Sequence, residues 1–238
     1  MAVYFASDMH LRLDCPDRAE RLAEWVDSLT PADSLFLVGD ICDFWYATRQ
    51  IQNGACSCAG LTALASFRHR GGSLTVLLGN HDLWLGPFYQ QELGATLVQE
   101  PFRVEVAGLR FHLAHGHRSG GRQPWKAAME SHAFYRAFAA LPDAIATRLD
   151  QRLNTTNERG RVQDEDRLIQ VFAGLACQLG ESADLAVFGH VHRPVDQPTT
   201  GSRLIVLGGW HHGSSYLRVD EKGAYLHRTQ KPTSSQVG

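Results

Sequence analysis

Ser34-Leu35-Phe36-Leu37-Val38-Gly39-Asp40 is the stretch from which the rest of the chain is read. An apolar run without alternation describes a strand buried on both faces, and a glycine followed by a carboxylate ends it. In α/β proteins the carboxyl ends of such strands are where ligands and reacting groups gather. Gly-Asp is also an ordinary turn, so the weight placed on Asp40 depends on what the other strands deliver.

They deliver the same kind of residue. Val3 to Ser7 forms a short strand that ends in Asp8-Met9-His10, and in extended geometry the first and third side chains point the same way. Leu74 to Leu78 ends in Gly79-Asn80-His81-Asp82. An amide oxygen is a hard ligand and the adjacent imidazole can exchange a proton, although Asn80 and Asp82 would also serve as plain turn formers. A hairpin of Arg103 to Val106 and Leu109 to Ala114 turns at Ala107-Gly108 and hands over His115-Gly116-His117. Asp184 to Phe188 leads into Gly189-His190-Val191-His192.

Strands at Arg203 to Leu207, Ser214 to Val219 and Ala224 to His227, with helices at Asp17 to Leu29, Leu61 to Arg70 and Asp164 to Leu179, complete the pattern. The expected class is α/β: a sandwich of two mixed sheets flanked by helices, in one domain over residues 1–238. Between His117 and about Arg161 the strand pattern stops. Met129, Phe134, Phe138 and Leu141, then Ile145, Leu149 and Leu153 after Pro142, give two helical stripes, an insert at about 118–161. This insert carries eight Lys or Arg against four Asp or Glu, in a chain of net charge -2. Its ordinary reading is a helical pair packed on the body with solvated charges. The sharper reading is a cap whose apolar face accepts an acyl chain while Arg152, Asn157 and Arg161 approach an anionic head group.

The composition, 44% hydrophobic and 20% charged, is that of a globular protein. The slight negative charge and the lack of a basic, aromatic-interleaved groove argue against a nucleic-acid partner, and nothing implies an obligate protein partner. No run approaches the roughly 20 apolar residues of a spanning helix, and removal of a leader would destroy the Asp8 and His10 site, so a cytoplasmic location is expected. Cys15, Cys42, Cys56, Cys58 and Cys177 are irregularly spaced, which fits free thiols, and Cys56-x-Cys58 lacks a second pair for zinc.

In this order, Asp8-Met9-His10, Gly39-Asp40, Gly79 to Asp82, His115-Gly116 and Gly189 to His192 resemble the signature of the calcineurin-like metallophosphoesterases. The resemblance implies two divalent cations, with Mn, Fe or Zn all compatible with an oxygen and nitrogen donor set. It assigns one cation to Asp8, His10, Asp40 and His192, and the other to Asp40, Asn80, His115 and His190. Asp40 is then the bridge. It further implies that His81 contacts the phosphoryl oxygen or protonates the leaving group, with Asp82 as the orienter of its ring or a turn cap.

Within that superfamily the chain is most similar to the UDP-2,3-diacylglucosamine hydrolases. The likeness includes Trp45 after Gly39-Asp40, Ala140-Leu141-Pro142, Gly189 to Pro194 and Val206 to His211. It implies hydrolysis of a UDP-linked acylated sugar to UMP and the sugar 1-phosphate in lipid A synthesis, with Mn, at the cytoplasmic face of the inner membrane. A broader phosphodiesterase or phosphatase acting on nucleotides is the alternative, and a noncatalytic metal-fold scaffold is a third. The chain departs from better-known members of that group at His81, where they have Arg, and at His117, where they have Asp.

Overall fold

The computed structural model describes residues 1–12, 16–43, 58–121, 128, 131–142, 144–146, 148–149 and 161–230. The first sheet contains β1 (Val3–Ala6), β2 (Ser34–Val38), β3 (Ser73–Leu77), β4 (Thr96–Val98), β10 (Gly213–Asp220) and β11 (Gly223–Gln230), in the order β11-β10-β1-β2-β3-β4. The second contains β5 (Phe102–Val106), β6 (Leu109–Ala114), β7 (Leu185–Phe188), β8 (Val195–Gln197) and β9 (Arg203–Val206), in the order β5-β6-β7-β9-β8. Both are mixed. The neighbours from β1 to β4 run parallel, as do β6, β7 and β9, and the remaining pairs are antiparallel.

The unbroken apolar run of β2 has a simple origin. Leu35 and Leu37 face a core shared with α1 (Pro16–Asp27) and α2 (Ala59–His69), whereas Phe36 and Val38 face the opposite sheet. Strand β7 repeats the device. Leu185 and Val187 point into the sandwich while Ala186 and Phe188 point toward α5 (Arg161–Leu179), where Phe172 stacks on Phe188 at 4.3 Å between centroids. Phe5 joins the two sheets, its ring 5.0 Å from both Phe36 and Phe111. Burying both faces of each central strand fixes the strand ends on which the site is built.

The short elements were not legible. Strands β4 and β8 have three residues each, too few for a period, and α3 (Gly86–Gln91) opens with Gly-Pro where the pattern reads as a turn. Within the insert, α4 (His132–Ala139) is capped by Ser131, whose hydroxyl accepts from the Phe134 amide at 3.2 Å. Phe138 and Ala146 are buried against Trp84, Phe134, Tyr135 and Leu141. The expected second stripe is not a packed face: Ile145 and Leu149 are 53% and 37% exposed. Met129, Leu153, Arg152, Asn157 and Trp45 lie outside the described residues, as does the side chain of Arg161.

Asp33 ties the start of β1 to the turn before β2. Its buried carboxylate accepts from the Ala2 amide at 2.7 Å, and from the Thr30 amide and hydroxyl at 2.9 and 2.8 Å. Burial opposes the charge, but these donors hold the carboxyl below its ordinary value. Asp33→Ala should therefore cost about 1–3 kcal/mol in denaturant unfolding at neutral pH. A depressed carboxyl stabilises above its unfolded pKa and loses that contribution as pH falls through the folded one, so the variant should show a shallower loss of stability below about pH 4 than the parent.

Candidate metal centre

The donors sit on backbone that is itself unusual. Asp8, His10, Asp40 and His190 all have positive φ, at 56°, 47°, 54° and 65°, and the only other non-glycine residue of this kind among those described is Ala107 in the hairpin turn. Left-handed backbone at such residues costs about 1 kcal/mol or more each and persists where the surroundings over-determine it. Here the strand exits interlock. The amides of Asp8 and His10 donate to the carbonyls of Gly39 and Asp40 at 3.1 and 3.0 Å, and Trp210 donates to Asp8 at 3.1 Å. A Cβ on Gly79 would lie 2.1 Å from Asp40 Oδ1, so the absence of a side chain there lets β2 and β3 deliver their donors side by side.

The side chains named at the strand exits lie close together. His10 Nε2 lies 3.1 Å from His192 Nε2, and each is 3.7 Å from Asp8 Oδ1. His115 Nε2 lies 3.3 Å from Asn80 Oδ1 and 3.2 Å from Asp40 Oδ2. The same Asp40 oxygen is 3.8 Å from His10 Nε2, which puts it between the two groups. Asp8, His10 and His192 form one cluster able to hold an ion, and Asp40, His115 and His190 form another. Ligand atoms about 2.0–2.2 Å from a shared cation are separated by spacings of this order.

The free valences also fit cations. Asp8 Oδ2 accepts from the His190 amide at 2.9 Å, while Oδ1 is buried with no hydrogen-bond partner. Such an oxygen is costly unless a positive group meets it. His115 Nδ1 donates to the Val38 carbonyl at 2.9 Å, which leaves Nε2 facing Asp40 and Asn80. Burial disfavours a charged His115 ring, yet the Asp40 charge and hydrogen bond push it up to about 10. Burial likewise opposes Asp40, and His115 and His81 still hold it well below the carboxylate range. The buried carboxylates draw positive charge toward them, a place that a cation can take.

His81 lies beside this cage. Its amide donates to Asp40 Oδ1 at 2.8 Å, and its Nδ1 donates to Asp43 Oδ1 at 2.9 Å. Despite burial, Asp40 and Asp43 raise its pKa to about 9. Asp82 does not bond this ring; of its two expected roles, the turn cap is the one its contacts match. Asp82 accepts from the Gly79 amide at 2.7 Å, the Ile41 amide at 2.8 Å and the Tyr89 hydroxyl at 3.1 Å, so it clamps the two glycine turns together. Asp43 is the partner of His81, and it was passed over because its role depends on a residue 38 positions away.

Glu100 was also missed. Its Oε2 accepts from the His115 and Gly116 amides at 2.7 and 3.2 Å, which fixes that turn. The side chain of His117, next along, is buried with Nδ1 3.4 Å from Glu100 Oε1, and its ring lies 5.5 Å from that of His115 between centroids. His211 stacks on His192 at 4.6 Å, whereas His212 is exposed.

Two variants test the cage. Asp40→Asn should reduce bound cation from about two per chain to one or fewer by elemental analysis, with activity down at least about 1000-fold, since one carboxylate serves both clusters. Gly79→Ala keeps every donor yet should lose comparable activity, because the new methyl displaces Asp40; retained parental activity would show that the turn tolerates a side chain.

A model of the family described as Calcineurin-like phosphoesterase matches residues 1–194. A UDP-2,3-diacylglucosamine hydrolase of Aeromonas salmonicida is 26% identical, covering 100% of this chain and 97% of its own. One from Nitrosococcus oceani is 28% identical over 95% of this chain and 94% of its own. The solved structure of a novel archaeal phosphodiesterase aligns over 96% of this chain and 100% of its own, at TM-score 0.49 and 14% identity. With its candidate donors gathered at the strand ends of a two-sheet sandwich and the family model matching residues 1–194, the chain belongs to the calcineurin-like phosphoesterase family.

Proposed function

We propose that this phosphoesterase hydrolyses the pyrophosphate of UDP-2,3-diacylglucosamine, releasing UMP and 2,3-diacylglucosamine 1-phosphate. The observation that carries the reading is the intact donor cage around Asp40, in a chain whose full-length relatives bear that activity in their names. Asp8, His10, Asp40 and His192 would hold one divalent cation, and Asp40, Asn80, His115 and His190 the other, with Mn the expected ion. Cations held there supply charge to neutralise phosphoryl oxygens and acidity to a coordinated water.

The protein's own residues do the rest. Asp40 shares one oxygen between the two clusters and sets their spacing. With Nδ1 committed to Asp43, His81 offers Nε2 to the phosphoryl group or to the departing oxygen, and its side chain is 27% exposed, so a ligand can reach it. Helix α4 packs through Tyr135 on Trp84, two residues beyond Asp82, with ring centroids 5.2 Å apart. That contact supports reading the 118–161 insert as the cap proposed for the substrate. Its exposed Ile145 and Leu149 supply an apolar surface for an acyl chain or for peripheral contact with the cytoplasmic membrane face, and Arg152, Asn157 and Arg161 supply the polar contacts to the head group. Among the described residues no helix is long and apolar enough to cross a membrane.

The decisive measurement is Mn-dependent turnover of UDP-2,3-diacylglucosamine against a panel of nucleotides and simple phosphodiesters. The lipid precursor should have the highest kcat/KM; a nucleotide that exceeds it would move the assignment to a phosphodiesterase or phosphatase acting on nucleotides. His81→Asn should lower kcat by about 100-fold to 10,000-fold with both cations retained.

A further inference from the structure

Arg12 is buried two residues beyond His10, a place where an uncompensated guanidinium would be expensive. Its Nη1 donates to Asp43 Oδ2 at 2.9 Å. The other oxygen of that carboxylate accepts from His81 Nδ1, also at 2.9 Å. His10, a cation ligand, competes for the same oxygen: its Nδ1 is 4.0 Å from Asp43 Oδ1. The rings of His10 and His81 stand edge to face at 4.7 Å, so a modest rotation of Asp43 would transfer the contact from one imidazole to the other.

We propose that Arg12 is a positioning residue for the hydrolytic step: by anchoring Asp43 Oδ2, it directs Oδ1 to His81 rather than to His10, and so keeps the His81 ring set to donate its Nε2 proton. The inference rests on the hydrolase reading but not on the lipid substrate. In the step concerned, water adds to phosphorus and the bond from phosphorus to the leaving oxygen breaks. That oxygen takes the bonding pair and the Nε2 proton, and the proton shed by the added water returns to the imidazole through solvent. A proton donor matters in proportion to the basicity of the group expelled. Arg12 should therefore matter little when the leaving oxygen is a good one and much when it is poor.

The experiment uses the full chain with the 4-nitrophenyl and phenyl esters of thymidine 5′-monophosphate, which differ only in the group that departs. Arg12→Met should lower kcat on the phenyl ester by about 100-fold and on the 4-nitrophenyl ester by less than about 5-fold, with KM and cation content unchanged. Arg12→Lys should restore much of the loss. A second readout is independent of turnover. In chain labelled with 15N-histidine and loaded with Mg2+, the downfield Nδ1 proton assigned by its absence from His81→Asn should persist in Arg12→Lys and vanish in Arg12→Met. Equal losses on the two esters, or a resonance unmoved by Arg12→Met, overturn the proposal.

Should Arg12→Met fail to fold because it strands the Asp43 charge, the double variant Arg12→Met/Asp43→Asn removes both charges, and its rate should equal that of Asp43→Asn alone; a further fall also overturns the proposal. A chain that hydrolyses the thymidine esters but not the lipid precursor would refute the substrate assignment and leave Arg12 to be judged on the same ratio. Where neither ester is turned over, the resonance decides.

Discussion

One carboxylate sets the geometry of the site. Asp40 gives Oδ1 to the backbone of the neighbouring strand exit, through the His81 amide, and Oδ2 to the space between His10 and His115. Buried charge of this kind is tolerable only when surrounded by opposite charge or donors. The surroundings come from both sheets: β1, β2 and β3 on one side, β6 and the turn after β7 on the other. The sandwich core built on Phe5, Phe36 and Phe111 holds these exits within reach of one oxygen.

This explains which parts could be read from the residues. The candidate donors were legible because each set follows a buried strand, with a glycine between strand and donor at Asp40, Asn80 and His190, and the physics of a buried strand followed by a tight turn is local. The two sheets were legible for the same reason. What surrounds the donors was not. Asp82 is next to His81 in the chain, but the turn sends its carboxylate back to the Ile41 and Gly79 amides. Asp43 looks like one more polar residue after a strand, and only folding brings it against Arg12 and His81. Glu100 precedes an unremarkable hairpin, yet its carboxylate holds the His115 turn by two amides. Strands of three residues carry no period, so the edges β4 and β8 escaped notice.

The cation site is also tied to the helix that follows the insert. Glu165 on α5 accepts from the His192 amide at 3.2 Å, and Asp166 pairs with Arg193. A candidate cation ligand is thus braced by the helix that leads back from the segment proposed to cap the site, and displacement of α5 would be felt at His192.

The left-handed donor residues serve two demands that conflict. Glycine would relax the backbone at positions 8, 10, 40 and 190, but it would bring no side-chain oxygen or nitrogen. A glycine at any of the four would trade a donor atom for an easier turn, so the ease of folding and the capacity to hold a cation pull in opposite directions at the same residues.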